Sequence, residues 1–268
     1  PENINANAFL LDEITNPSDA YNANSALYSA YLMFDNKILE KLRISWGMRL
    51  EDFSQQMESF EYPGNTPINV DTKVTSWLPS ANLTYSLNDK HQIRLSGSKT
   101  VSRPEFREIA PFAFFDNRLY AAVVGNPNLI PTDVYNADLR YEIYPGQNEL
   151  FSVSLFYKKF NNPIEFTFTS LGTGTRTFSY QNIPSAENIG VELEIRKTLA
   201  FVAPVLENVT VFANGTLTRS SLDLSNVSRF DSTRNLQGQS PYIINGGITY
   251  NHTNWGLSST LVYNVIGD

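Results

Sequence analysis

LRISWGMRL, residues 42–50, is the stretch whose reading decides the fold. Leu42, Ile44, Trp46, Met48 and Leu50 are apolar, and Arg43, Ser45, Gly47 and Arg49 stand between them. Successive side chains of a strand point to opposite faces, so this run has one apolar and one polar face. Three more runs repeat the pattern. Tyr135, Ala137, Leu139, Tyr141 and Ile143 alternate with Asn136, Asp138, Arg140 and Glu142. Ile189, Val191, Leu193 and Ile195 alternate with Gly190, Glu192, Glu194 and Arg196. Phe151, Val153, Leu155 and Tyr157 alternate with Ser152, Ser154, Phe156 and Lys158. A helix would bring Glu192 and Arg196 together but would scatter the apolar positions around its axis.

The connections between such runs also alternate. Short polar turns fall near Asp35–Lys41, Asn88–Lys90, Tyr144–Asn148, Ala200–Asn208 and Asn251–Asn254. Long loops fall near Ser54–Lys73, Arg103–Leu129, Phe168–Asn188 and Ser220–Ser240. Short turns on one rim and long loops on the other characterise a membrane-embedded β-barrel. About ten strands are expected, near 24–35, 41–53, 74–88, 91–102, 130–144, 149–168, 188–199, 208–219, 241–251 and 255–266. Several exceed the roughly 9–11 residues that cross a bilayer, so their ends should stand above it as a wall. Gly and Pro gather in the loops, as in YPGNTP, GNPNLIP and LGTGT, and no helix is expected. Pro79 lies inside a strand-like run and predicts a bulge there.

Composition excludes several functions. The 268 residues include no cysteine, so disulfides, thiolate metal sites and cysteine nucleophiles are ruled out within them. The net charge of −7 argues against a nucleic-acid partner, which needs a basic face. No apolar stretch is long enough for a transmembrane helix. The opening run, PENINANAFLLDEITNPSDAYNAN, is polar and loop-like, without a basic start or a cleavage pattern. The chain is therefore read as one partial barrel domain, residues 1–268, cut from a longer protein.

SKTVSRPEFREIAPF, then GNPNLIPTDVYNADLRYE, FSVSLFYKKFNNPIE and NIGVELEIRKTL stand in this order along the chain. Together they resemble the C-terminal barrel half of TonB-dependent outer-membrane receptors, with the flavour of the Bacteroidetes branch. SAYLMFDNKI and KLRISWGMRLE resemble the strand–turn–strand units of that branch. The resemblance runs from about Tyr21 to Asp268. It implies an all-β antiparallel meander forming part of a barrel of about 22 strands with a plugged lumen. It also implies uptake of a scarce nutrient across the outer membrane: a ferric siderophore, haem, cobalamin, an oligosaccharide or a peptide. The implied partners are outer-membrane lipid, the protein's own plug domain and remaining barrel strands, and the TonB complex acting through an N-terminal box. Plug and box are not in this sequence. A self-contained ten-stranded barrel acting as porin, adhesin or enzyme is the alternative reading, and a soluble β-sandwich or solenoid a third.

Two groups of residues are candidates for chemistry. Arg43, Arg49, Glu51, Arg94, Asp138, Arg140, Glu142, Lys158, Glu192, Glu194 and Arg196 fall on the polar faces. They line either a ligand path or a solvated lumen wall, and a polar barrel interior requires alternate charge in any case. The loop REIAPFAFFDNRLYAAVVGNP, residues 107–127, carries Phe112, Phe114, Phe115, Tyr120, Arg107 and Arg118. Aromatic anchors and arginines are enriched at binding hot spots, and arginine takes anionic groups in bidentate fashion. These six are the candidate ligand-binding residues, on the reasoning that a loop without a core of its own cannot hide so many rings. The opposing reading packs them against neighbouring loops or the plug. Arg103–Pro104 reads as a structural rim element, because Pro104 cannot donate to a ladder. Catalysis is not expected. The two histidines, His91 and His252, sit beside short turns, and no nucleophile elbow, metal cluster or phosphate loop is present. No cofactor or metal is implied.

Overall fold

The computed structural model describes residues 16–60, 66–170, 176–224, 233–252 and 255–267. The strands are β1 (Asn22–Leu39), β2 (Leu42–Phe60), β3 (Pro67–Asn88) and β4 (His91–Ser102). A single helical turn, α1 (Phe106–Ile109), precedes β5 (Ala113–Asp116) and β6 (Ala121–Val124). Then follow β7 (Thr132–Ile143), β8 (Leu150–Asn161), β9 (Ile164–Ser170), β10 (Arg176–Asn182) and β11 (Ser185–Thr198). The last are β12 (Val209–Asp223), β13 (Thr233–Arg234), β14 (Tyr242–His252) and β15 (Leu257–Ile266).

Ten long strands pair in the order β1-β2-β3-β4-β7-β8-β11-β12-β14-β15, with the short β13 beside β12. Every pairing in this sheet is antiparallel. β1 and β15 are its two edges, so the described strands form an open wall and not a closed ten-stranded barrel. The N-terminal run through residue 15, the LGTGT glycines and most of YPGNTP lie outside the described residues.

Register explains the wall. Leu95, Leu139, Leu155, Val191 and Leu217 are successive partners on β4, β7, β8, β11 and β12. They form one apolar row on the outward face, and the four leucines are exposed. One residue along, Arg94, Arg140, Ser154, Glu192 and Thr216 form the matching row on the inner face. On β2 the outward residues Leu42 to Leu50 meet Tyr85, Leu83, Ala81, Pro79 and Trp77 of β3. Charged outward positions beyond the apolar rows include Asp52 on β2, Lys99 on β4 and Arg219 on β12. The apolar stretch below Asp52 matches the roughly 9–11 residues of a membrane-crossing strand.

The inner face carries an ion-pair ladder. Arg94 and Arg140 are direct partners, which alone is unfavourable for like charges. Glu142 resolves the conflict. Its buried carboxylate accepts from Arg140 Nε at 2.7 Å and the Tyr144 hydroxyl at 2.9 Å, and it forms an ion pair with Arg94, whose Nε lies 2.9 Å away. Arg140 reaches on to Glu194 at 2.9 Å. Phe156 also points inward and lies over its register partner Gly190. A Cβ on Gly190 would run into the Phe156 ring and the Leu217 carbonyl, so only glycine admits this cover.

Four expectations are corrected. Pro79 makes no bulge: β2 and β3 stay in register through Met48↔Pro79, and register slips only beside turns, at Lys37/Leu39 and Ser86/Asn88. Pro79 instead stands where β4 leaves β3, since their pairing starts at Ser80↔Ser98. The run 149–168 is not one strand. Asn162, at φ 55°, and Pro163 turn the chain out of β8 and into β9. The loop Ser54–Lys73 is mostly strand, paired up to Phe60↔Pro67. The loops 103–129 and 168–188 hold α1 and a second sheet, ordered β5-β6-β10-β9, in which β6 and β10 are parallel. Three further short 3-10 turns, at Pro17–Asp19, Leu199–Phe201 and Pro204–Leu206, complete the helical content among the described residues.

The two faces predict opposite sensitivities. Leu139→Arg should destabilise the inserted full-length protein by about 2–4 kcal/mol near the bilayer midplane. Thr216→Lys, inward and opposite Glu192, should change stability by less than about 1 kcal/mol. Chaotrope unfolding in lipid vesicles measures both.

Candidate functional site

The inner face of β2 changes character above Arg49. Glu51, Phe53, Gln55, Met57 and Ser59, all on that face, are buried. The segment after β4 covers the first four, and Ser59 donates to the Ala20 carbonyl at 3.0 Å. Arg103 Nη2 donates to Glu51 Oε2 at 2.5 Å, and Arg49 Nε donates to Glu51 Oε1 at 2.6 Å. The Arg103 guanidinium also lies over the Phe53 ring, 4.7 Å from its centroid. Gln55 Nε2 donates to the Pro104 carbonyl at 3.1 Å. Arg103–Pro104 is thus the point at which the loop folds inward across the mouth of the wall.

Beyond this anchor the loop has a core, contrary to the sequence reading. Met57 packs with Ile109, Ala110 and Leu129, and Ala23, Val70, Phe106, Phe112, Ile164 and Tyr180 close around them. Gly125 allows β6 to approach α1: a Cβ there would strike the Ala110 carbonyl. The Asn126 amide donates to the Glu108 carbonyl at 2.6 Å, and Asn126 Nδ2 donates to the Tyr180 carbonyl at 2.9 Å. Asn182 Nδ2 donates to the Ile130 carbonyl at 2.8 Å, and Arg234 reaches Glu165 at 2.7 Å. The small sheet is therefore clamped to the wall at several points.

The six candidate residues separate into two groups. Arg107 stacks on Phe114, 3.7 Å from its centroid, and Phe112 stacks on Tyr21 at 5.8 Å. Phe112 and Phe114 are 6.3 Å apart. These three residues, Arg107, Phe112 and Phe114, tie the β5–β6 hairpin to its surroundings. Phe115, Arg118 and Tyr120 cluster at the hairpin tip. Phe115 and Tyr120 meet edge to face at 6.5 Å, and both are exposed. Asp116 shapes the tip by accepting from the Arg118 amide at 2.8 Å and the Leu119 amide at 3.3 Å. The Arg118 amide, with the other donors, holds the Asp116 carboxyl below its ordinary range. Tyr120 closes the turn at φ 49°, in the left-handed region.

Sequence reasoning missed a second aromatic group. Phe166 stacks on Phe178 at 5.0 Å, Phe168 meets Phe178 at 6.0 Å, and Tyr180 meets Phe166 at 5.3 Å. The signal was present in FTF, residues 166–168, and FSY, residues 178–180, where aromatics alternate as in strands. Lower on the inner face, a cleft of about 660 Å³ is lined by Arg94, Asp138, Arg140, Phe156, Lys158 and Glu192. His91 opens β4 and His252 ends β14, both beside short turns as expected. Among the described residues no three His, Cys, Asp or Glu are grouped to hold a metal.

The wall, its two rims and its two faces define an outer-membrane barrel. The chain matches the outer membrane protein beta-barrel family over residues 2–265 and belongs to it. No curated protein matches it by sequence. Among solved structures it is similar to the siderophore receptor PirA from Pseudomonas aeruginosa, at TM-score 0.58 and 16% identity, covering 92% of this chain and 49% of that one. It is also similar to the copper transporter OprC, at TM-score 0.67 and 16% identity, covering 91% and 36%. A third is the alcaligin outer-membrane receptor FauA from Bordetella pertussis, at 0.61 and 16%, covering 93% and 39%. The chain spans less than half the length of each. At these identities the likeness is one of fold.

Burial raises the pKa of the Glu108 carboxyl, with repulsion from Glu105 adding to it, although the Glu105 amide donates to it at 2.8 Å. A folded pKa above the unfolded one means that the docked loop binds more protons. Docking should then weaken as pH rises from the ordinary carboxylate value through the raised one. Protection factors of the amides of residues 103–131, taken relative to the intrinsic exchange rate at each pH, should rise on acidification across that window. Glu108→Gln should flatten the dependence, and an unchanged profile in that variant would assign it elsewhere.

Proposed function

We propose that this chain is the loop-bearing part of a receptor that takes up a scarce nutrient across the outer membrane. The energy comes from the TonB complex, acting through a plug domain elsewhere in the protein. The cargo class is a ferric siderophore, haem, cobalamin, an oligosaccharide or a peptide, and the protein is of the Bacteroidetes type. The observation that carries this reading is the small sheet seated across the mouth of the wall. Its hairpin offers Phe115, Arg118 and Tyr120 to the solvent while Arg107, Phe112 and Phe114 secure it. A pore needs an open mouth. A selective importer needs a rigid scaffold that presents exposed anchors, and binding residues collect on loops so held. The similar structures, one named for a siderophore, one for alcaligin and one for copper, support the same reading.

Phe115→Ala, Arg118→Ala and Tyr120→Asn, combined in the full-length protein, form the test. Asparagine keeps the left-handed turn, so the hairpin should survive. Ferric siderophores, haem and cobalamin are titrated singly onto the purified receptor. Affinity for whichever binds should fall at least about tenfold, or about 1.4 kcal/mol. Heat-modifiable gel mobility should not change. Unchanged affinity would move the binding site to the plug or to other loops.

A further inference from the structure

Three turns of the short-turn rim are polar at their tips. Glu40–Lys41 and Asp89–Lys90 close two of its hairpins, and PGQN fills a third turn at residues 145–148. The connection from β11 to β12 instead reads LAFVAPVLEN, residues 199–208, and Glu207 is its one charged residue. Two 3-10 turns satisfy its backbone. The Val202 amide donates to the Leu199 carbonyl at 3.0 Å, and the Leu206 amide to the Ala203 carbonyl at 2.9 Å. Its side chains have no such cover. Phe201 is 68% exposed, Val202 62% and Val205 82%. Nothing in a merely hydrophilic rim accounts for three large apolar side chains held outward together.

Their position says what covers them. Lys197 continues the outward row of Val191, Leu193 and Ile195 on β11, and its ammonium lies 5.7 Å from the Phe201 ring centroid. Lys197 also pairs with Glu149 at 2.6 Å, and Glu149 precedes the outward Phe151 by two residues. Phe201 therefore lies on the lipid side of the wall, past its last apolar row. The neighbouring turn agrees. Val209 of β12 partners Tyr250 of β14, and just beyond, the exposed Trp255 stacks on His252 at 4.4 Å. Tyr250 near the end of β14, and Phe201 and Trp255 beyond the strand ends, carry the lipid-facing surface outward, where amphipathic rings favour the membrane–water boundary.

We infer that residues 199–208 form an interfacial anchor. Phe201, Val202 and Val205 sit at the headgroup–acyl boundary of the periplasmic leaflet, and the Lys197–Glu149 pair marks the polar edge above which the hydrocarbon begins. The occupant is the lipid surface, because the turn is continuous with the lipid-facing face of β11 and β12 and carries a single charge. Such an anchor fixes the depth and tilt of this part of the wall.

The test places a nitroxide on Val205→Cys and, separately, on Phe201→Cys in the full-length protein, reconstituted in phosphatidylethanolamine–phosphatidylglycerol vesicles. This chain contributes no cysteine of its own. Asp89→Cys, on a polar turn of the same rim, is the reference. Collision with oxygen relative to a water-soluble nickel chelate should be roughly threefold or more higher at 201 and 205 than at 89, as for side chains buried in an interface. A ratio equal to that at 89 would put the turn in water and overturn the inference. Protection from both reagents would show a protein partner on the turn and would overturn it equally. Neither result depends on the cargo or on the loop site.

Discussion

Inside a bilayer no water is available for backbone N–H and C=O groups, so each must bond to a neighbouring strand. This constraint sets the plan of the molecule. It requires long, fully paired antiparallel strands, which then force side chains to alternate between lipid and interior. The apolar row from Leu95 to Leu217 and the polar row from Arg94 to Thr216 are two consequences of one ladder. Pro79 shows how closely the ladder is managed. β3 loses β4 as a partner just there, near the top of the apolar stretch, and proline has no N–H to leave unpaired. Above that level β3 keeps β2 alone as a partner while β2 still pairs with β1, and beside Asp52 and Thr75 water can serve the free edge of β3.

Once strands must rise past the bilayer, their inner faces need cover. β2 shows the transition within one strand. Arg49 is part of the polar wall, Glu51 is shared between Arg49 and Arg103, and Met57 belongs to a hydrophobic core. The Arg103–Glu51 pair is thus the joint between membrane wall and loop structure. From it hang α1, the β5–β6 hairpin and, through parallel pairing, β10 and β9. The exposed tip at Phe115, Arg118 and Tyr120 is firm because the layers beneath it are bonded back to the wall.

The ten long strands were legible because period two is a strong signal and the short turns are compact. Their ends were less so. Phe160 and Ile164 kept the apolar pattern alive across Asn162–Pro163, which hid the turn between β8 and β9. The small sheet was illegible for another reason. Its parallel contact joins Ala122–Val124 to Thr177–Ser179, distant in the chain, and its core borrows Met57 from a segment read as loop. The candidate residues were sought by type, and type alone could not divide them. Arg107 on Phe114 is a packing pair, whereas the exposed Arg118 touches Asp116 alone among the described ion pairs, and that difference exists only in three dimensions.

Sidedness is the central claim, and a cysteine scan along residues 43–50 of β2 tests it most directly. Each single cysteine in the full-length protein is labelled with a bimane fluorophore in vesicles containing a lipid-borne quencher. Quenching should alternate strictly, strong at 44, 46, 48 and 50 and weak at 43, 45, 47 and 49. Uniform quenching, or strong quenching at 43 and 49, would contradict the assignment of the apolar face to lipid and with it the membrane-spanning wall.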